Sequence, residues 1–225
     1  VGAHKMLLAN ASHELRTPLS RIRLGLELLD GSADPARKAA LEKDIAEVDQ
    51  LITEILLASR LDALEQLDSL EEVDLLALAA EEGARFDECT VDGEPALIKG
   101  DPRLLRRLVR NLIENANRHG APPIEVDVRP DRAAGMLRLT VSDGGTGIPV
   151  SERLRVFEPF RRGRAAEPTA QRDGGGARGS GLGLTLVRQI ARRHGGDAVI
   201  DGPPGTSRFV VTLPLPAATT VLARS

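Results

Sequence analysis

Leu15, Leu19, Ile22, Leu26 and Leu29 recur at spacings of 4, 3, 4 and 3 residues. That period keeps an apolar seam on one side of a helix, and such a seam must be covered by another. The next segment supplies one. Leu41, Ile45, Val48, Ile52, Ile55 and Ser59 repeat the rhythm after Asp30-Gly31-Ser32-Ala33-Asp34-Pro35, where Asp34 is placed to cap a helix and Pro35 to open it. Two helices with one seam each form a hairpin. Pairing two hairpins into a four-helix bundle covers what a single hairpin leaves open. A plain coiled-coil spacer would satisfy the same periodicity.

From about Val73 the pattern changes. Helices are expected over 75–86, 102–119 and 182–194, and strands over 96–99, 124–129, 136–142, 198–201 and 207–213. Asp131-Arg132-Ala133-Ala134-Gly135 joins the second and third strands as a hairpin turn. Helices intermixed with antiparallel strands argue for an α+β layer with helices on one face of a sheet. With four Phe and no Trp or Tyr, the core must be built from Leu, Val, Ile and Ala. A net charge of −3 excludes the basic footprint of a nucleic-acid binder. The average hides a division: residues 1–70 sum to −4 and the remainder to +1, with Arg161, Arg162, Arg164, Arg172 and Arg178 gathered in the glycine-rich stretch 161–178. A single cysteine, Cys89, allows no internal disulfide and no cysteine zinc site, which suits a reducing compartment. No apolar run reaches the ~18 residues of a membrane span. Because the sequence opens at Val1 rather than Met, flanking segments, a membrane anchor among them, are left open.

Two glycine turns and one polar helix face carry the chemistry. Asp143-Gly144-Gly145-Thr146-Gly147-Ile148-Pro149 follows a strand, and Gly179-Ser180-Gly181-Leu182-Gly183-Leu184 opens a helix. Glycine lets backbone N–H groups approach an anion, and a helix N-terminus adds a positive dipole. The second turn fits neither the P-loop, since no Lys-Ser/Thr follows, nor the opening βαβ of a dinucleotide fold. Asn111 and Asn115, four residues apart, share a helix face, and an amide oxygen is a suitable ligand for a hard cation such as Mg²⁺. Each feature alone has an ordinary explanation as a turn or a solvated face; their co-occurrence does not. His13 lies outside the first seam, exposed, with Glu14 beside it and Thr17 one turn on. Pro18 denies the Glu14 carbonyl its helical partner and should bend the helix just after His13.

His13-Glu14-Leu15-Arg16-Thr17-Pro18-Leu19 resembles the H box of bacterial sensor histidine kinases. Asn111 to His119 resembles their N box, Asp143 to Pro149 the G1 box, Phe157-Glu158-Pro159-Phe160 the F box, and Gly179 to Leu184 the G2 box. All five stand in the family's order and cover nearly the whole chain. The resemblance implies a multidomain α and α+β protein. Residues 1–70 would be a dimerisation and phosphotransfer hairpin, forming a dimeric four-helix bundle. Residues 71–225 would be an α/β-sandwich ATP-binding domain of the gyrase, chaperone, kinase and MutL type, with a lid at about 158–180.

It further implies that His13 accepts the phosphoryl group, Glu14 polarises it, and Thr17 positions a water for dephosphorylating the partner. Asn115 would hold Mg²⁺, Asn111 and Arg118 would lie near the phosphates, and His119 near the adenine. Asp143 would accept from the adenine amino group in a pocket shaped by Gly145 and Gly147. Gly179, Gly181 and Gly183, with Leu182 and Leu184, would let the lid close over the triphosphate, its near end anchored by Phe157 and Phe160. Implied too are ATP and Mg²⁺ as cofactors, a homodimer, a separate response-regulator receiver domain as partner, and a place as the cytoplasmic portion of an inner-membrane sensor. Gly144 stands where the family often has Asn. Asn111 stands where gyrase-type ATPases carry a Glu base for water, which disfavours hydrolysis and fits transfer to histidine. A hydrolytic ATPase and a non-enzymatic dimer scaffold are the competing readings, and neither accounts for both halves of the chain.

Overall fold

The computed structural model describes residues 19–22, 24–25, 35–63, 67, 70–161, 181–203 and 207–216. They divide into two compact units, Val1–Ala63 with Val156–Thr185, and Leu64–Arg155 with Leu186–Ser225.

In the first unit, α1 (Pro35–Ala63) opens at the proline the sequence placed there. Residues 19–22 and 24–25 are helical and lie antiparallel to it: a Cβ on Gly25 would meet Leu41 Cδ2 at 2.6 Å, and Arg21 Nη2 bridges Asp44 at 3.2 Å and Glu47 at 2.7 Å. The hairpin is therefore as expected. Leu51, Glu54, Ala58 and Leu61 form the buried line of α1, one register step from the expected seam. Of that seam, Ile45 is 49% exposed and Ile52 42% exposed, and Leu56 beside them is open as well. A helix in a four-helix bundle meets two neighbours and needs an apolar stripe wider than one seam; here Ile45, Ile52 and Leu56 widen the stripe beyond the buried line.

The second unit is a two-layer α/β sandwich. Its five-stranded sheet runs β2 (Cys89–Gly93), β4 (Ile124–Asp131), β5 (Met136–Asp143), β7 (Ser207–Pro214), β6 (Asp197–Ile200). Only β2 pairs parallel, with Val91 opposite Val126; the other pairs are antiparallel. A separate antiparallel pair joins β1 (Glu71–Asp74) to β3 (Leu97–Gly100). Ile124, Val126 and Val128 on β4, with Leu137, Leu139 and Val141 on β5, point to the core at the period of two that strands require. The core is aliphatic, as the composition demanded, with Phe209 its one aromatic within the sheet.

Helices α2 (Leu75–Gly83) and α3 (Pro102–His119) pack on this sheet. Each starts on an aspartate. Asp74 Oδ1 accepts from Leu76 N and Ala77 N, and Asp101 Oδ1 from Arg103 N at 2.8 Å and Leu104 N at 3.2 Å, with Pro102 opening α3. Leu105, Leu108, Val109, Leu112, Ile113 and Ala116 form the buried face of α3. α4 (Gly183–Arg193) buries Leu186, Val187, Ile190 and Ala191, and Arg188 and Arg192 on it clasp Asp197 at the start of β6.

One buried carboxylate ties α2 to α3. Glu82, 2% exposed, accepts from Arg110 Nε at 2.8 Å and Nη2 at 3.1 Å, from Arg106 Nη1 at 3.0 Å and from Arg85 Nη1 at 3.0 Å. The Arg110 bonds, seconded by Arg106 and Arg85, hold its pKa at about 2 against the opposing effect of burial. A carboxylate lowered on folding stabilises the protein fully above its unfolded value near 4.5 and loses that contribution as pH falls through about 2. Glu82→Gln should cost about 2 kcal/mol at pH 7, since the three arginines are partly solvated and recover some hydration. That is a drop of roughly 4–8 °C in melting temperature. Melts from pH 7 to pH 2 should show the two proteins converging at the acid end; parallel curves would mean Glu82 titrates unperturbed.

Candidate nucleotide site

In the second unit, the end of α3 and the turn after β5 come together. Asn111 is 6% exposed on the buried side of α3, and Asn115 follows one turn later, half-buried, on the same face. Arg118 and His119 occupy the last turn, exposed. Removal of part of the His119 ring from water, with the Arg118 charge beside it, holds that imidazole below its ordinary range, so it is neutral at pH 7. The helix closes with Gly120 N donating to Ala116 O at 2.9 Å.

Asp143 ends β5 and is half-buried. Its Oδ1 accepts from Gly145 N at 2.8 Å, which closes the glycine turn and leaves Oδ2 as an acceptor. Gly144 N donates to Ala121 O at 2.6 Å, binding the turn to the segment after α3. Gly147 has φ +76°, the left-handed region where a Cβ is costly. Arg153 pins the following segment, with Nη1 on Gly202 O at 2.8 Å, Nη2 on Pro203 O at 3.2 Å and Nε on Ile148 O at 3.3 Å.

Gly120 is a residue that reasoning from sequence missed. A Cβ there would fall on the Asp143 carboxylate and lie 2.6 Å from Ala116 O. The carboxylate thus sits on bare backbone, and Gly120 is what makes the seat. Its place just past the last turn of the N-box helix reads in sequence only as a C-cap.

In the first unit, the F box meets the second glycine turn. Phe157 is buried in a short 3₁₀ turn (Arg155–Phe157). Phe160 N donates to Gly181 O at 3.0 Å, and both residues have positive φ, 59° and 70°. A Cβ on Gly181 would lie 2.9 Å from the Phe160 backbone, so only glycine permits this approach. The flanks of 162–180 are thereby held together. Leu182 is fully buried, Gly183 begins α4 and Leu184 is half-buried. Thr185 Oγ1 is buried with no hydrogen-bond partner among the described residues, and no acidic side chain occupies the first turn of α4. That end suits an anion.

His13, Glu14, Thr17 and Gly179 lie outside the described residues. Among those described, no helix is long and apolar enough to cross a membrane, and no three His, Cys, Asp or Glu side chains gather into a metal site. A Mg²⁺ ion at Asn115 would accordingly draw most of its ligands from phosphate and water, as is usual for that ion.

Comparison with known proteins is consistent across the chain. Residues 3–64 match the His Kinase A (phospho-acceptor) domain, and residues 100–217 match the histidine kinase-, DNA gyrase B- and HSP90-like ATPase. The sensor-type histidine kinase PrrB of Mycobacterium tuberculosis is 36% identical over 228 residues, covering 93% of this chain and 47% of its own length. Sensor protein RstB of Escherichia coli is 34% identical over 224 residues, covering 96% of this chain and 50% of its own. The chain thus spans about half the length of the curated relatives it matches. The ATP-binding domain of M. tuberculosis PrrB superposes with a TM-score of 0.51 at 31% identity, over 67% of this chain and 100% of that one. Acinetobacter baumannii histidine kinase AdeS shares the fold, with a TM-score of 0.72 at 19% identity over 91% of this chain and 98% of its own. With a phospho-acceptor segment and an ATPase segment in that order, the chain belongs to the bacterial sensor histidine kinases of two-component signalling.

Proposed function

We propose that this chain is an ATP-dependent protein-histidine kinase core. It autophosphorylates His13 and passes the phosphoryl group to an aspartate on the receiver domain of a separate response regulator. The observation that carries the reading is the seating of Asp143. One carboxylate oxygen is spent on its own turn, and the other is left to accept from an exocyclic amine, which adenine has at C6 and guanine lacks there.

Asn111 and Arg118 would serve the phosphates, Asn115 the Mg²⁺ and His119 the base, with Gly145 and Gly147 shaping the pocket. Gly179, Gly181, Leu182, Gly183 and Leu184, with Phe160 at the near end, would cover the triphosphate. Bound Mg²⁺ would neutralise phosphate charge. Neutral His13 attacks the γ-phosphorus in line, the bond from phosphorus to the β,γ-bridging oxygen breaks, and ADP leaves with that oxygen. Glu14 accepts the hydrogen bond of the other ring nitrogen and so favours the tautomer whose lone pair faces the phosphorus. Asn111, in place of a carboxylate base, gives water no help as the competing nucleophile.

The exposed Ile45, Ile52 and Leu56 support a homodimer through the hairpin. That the relatives are named sensor proteins supports a place as the cytoplasmic portion of a membrane sensor. Thr17 would position water against the phosphorylated regulator.

Incubation with γ-labelled ATP and Mg²⁺ should yield a phosphoprotein whose label is acid-labile and base-stable, as a phosphoramidate is. Steady phosphate release without phosphoprotein would instead favour a gyrase-class ATPase.

A further inference from the structure

One buried ionisable group has no part in that reading. His194, 7% exposed, follows α4, where Gly195 N donates to Arg192 O at 3.0 Å and Gly196 N to Ala191 O at 2.9 Å. This closure turns the His194 ring inward. Its Nδ1 lies 2.8 Å from Ile190 O, and a carbonyl can only accept, so Nδ1 carries the hydrogen. Nε2 is then bare in the neutral ring and accepts from Asp101 N at 3.0 Å.

Asp101 is the residue whose side chain caps α3, so the first turn of that helix is held from both sides. Gly100 makes room: a Cβ there would lie 2.8 Å from His194 Cδ2, 2.9 Å from Nε2 and 2.6 Å from Leu105 Cδ1.

We propose that His194 is a positioning residue for nucleotide binding, its neutral ring latching the capping residue of α3 onto the end of α4. The helix latched is the one that carries Asn111 and Asn115, and a helix is a rigid rod. Asn111 lies ten residues on, ~15 Å at 1.5 Å per residue. Displacement at the cap therefore reaches the rim where α3 meets the Asp143 turn. The latch has a second property. A protonated ring presents an N–H at Nε2 to the Asp101 N–H, donor against donor, and the bond is lost. Asp101 is the charged group whose field reaches the ring; Gly100, Leu105 and Ile190 around it are uncharged. Burial pushes the imidazole down, outweighing the Ile190 carbonyl and Asp101, so opening belongs below its ordinary value of about 6.5.

The proposal rests on nucleotide binding by this chain, and one titration separates the two. Affinity for ATP with Mg²⁺ is measured by calorimetry from pH 7.5 to pH 5.5 on the whole chain, with circular dichroism confirming the fold of each variant. His194→Gln retains an acceptor for Asp101 N–H and does not titrate. It should bind within about threefold of wild type at pH 7.5, and the wild-type-to-variant affinity ratio should fall as pH is lowered. His194→Phe keeps the ring and lacks the acceptor, and should bind about tenfold more weakly throughout. An affinity ratio for His194→Gln that stays flat with pH overturns the latch, as does a folded His194→Phe that binds like wild type. If His194→Phe does not fold, the glutamine ratio alone decides. Absence of binding by the wild type overturns the nucleotide reading itself.

Discussion

His13→Ala should abolish acid-labile labelling from γ-labelled ATP, a loss of at least about 10³-fold set only by detection, while leaving nucleotide affinity unchanged. The asymmetry follows from chemistry. Alanine offers no lone pair to phosphorus, and in phosphoryl transfer the rest of the machinery positions and neutralises without replacing the nucleophile. Asn115 and Asp143, which we propose bind the nucleotide and its metal, belong to a different segment of the sequence, so binding should survive. Calorimetry with ATP and Mg²⁺ on the same preparation makes the test two-sided. Label that persists would place the acceptor elsewhere, His4, His119 and His194 being the other histidines of the chain. Label and binding lost together would mean the variant had misfolded. The companion Thr17→Ala should keep the label on His13 and slow its removal from a phosphorylated regulator; equal loss of both activities would refute a separate role in positioning water.

Much of this architecture could be read from spacing alone. The 4-3-4-3 spacing pointed to a hairpin, and Arg21 crosses to Asp44 and Glu47 as a hairpin requires, although α1 buries Leu51, Ala58 and Leu61 one register step from the expected seam. The period-two runs at Ile124 and Met136 became β4 and β5, extended by one or two residues each. Two strands were not anticipated, for physical reasons. β1 is Glu-Glu-Val-Asp, with Val73 its one buried residue, and β2 is Cys-Thr-Val-Asp-Gly at the sheet edge. Edge strands bury too little to need an apolar alternation, and their identity comes from ladder partners that periodicity cannot see. The helix expected over 75–86 ends at Gly83, whose missing Cβ would lie 2.7 Å from Val91. In the site, residue types with chemistry of their own stood out: Asn111, Asn115 and Asp143. What escaped were residues that act by having nothing there, Gly120 under the Asp143 carboxylate and Gly100 under the His194 ring. Their role depends on a neighbour distant in sequence. The threefold grip on Glu82 was hidden for the same reason, since Arg85, Arg106 and Arg110 are unremarkable until α2 and α3 are side by side.

Asp143 offers the sharpest test of nucleotide choice, because the proposed site gives its two oxygens different duties. Asp143→Asn can keep Oδ1 on Gly145 N–H, so the turn should hold. What changes is the other position, where an NH₂ replaces Oδ2 and faces the adenine amine donor to donor. A hydrogen bond to a charged acceptor contributes about 1.5–3 kcal/mol, and an unpaired donor adds its own desolvation cost. Together they should weaken ATP binding by about 100-fold, or roughly 3 kcal/mol. Guanine presents a carbonyl oxygen where adenine presents its amine, so the same NH₂ gains a partner. GTP affinity should therefore rise in Asp143→Asn and discrimination should collapse or invert, the behaviour of a site built to pair with a substrate group. Asp143→Ala loses both duties and should bind neither nucleotide well. Gly120→Ala approaches the same endpoint from beneath: its methyl group displaces the carboxylate without altering its chemistry. It should weaken ATP about tenfold with no gain for GTP. Titrating both nucleotides into the three variants separates loss of an acceptor from loss of its placement. Wild-type affinity in Asp143→Asn would remove this carboxylate from base recognition. Gain of GTP binding in Gly120→Ala would show instead that the pocket, not the carboxylate, selects the base.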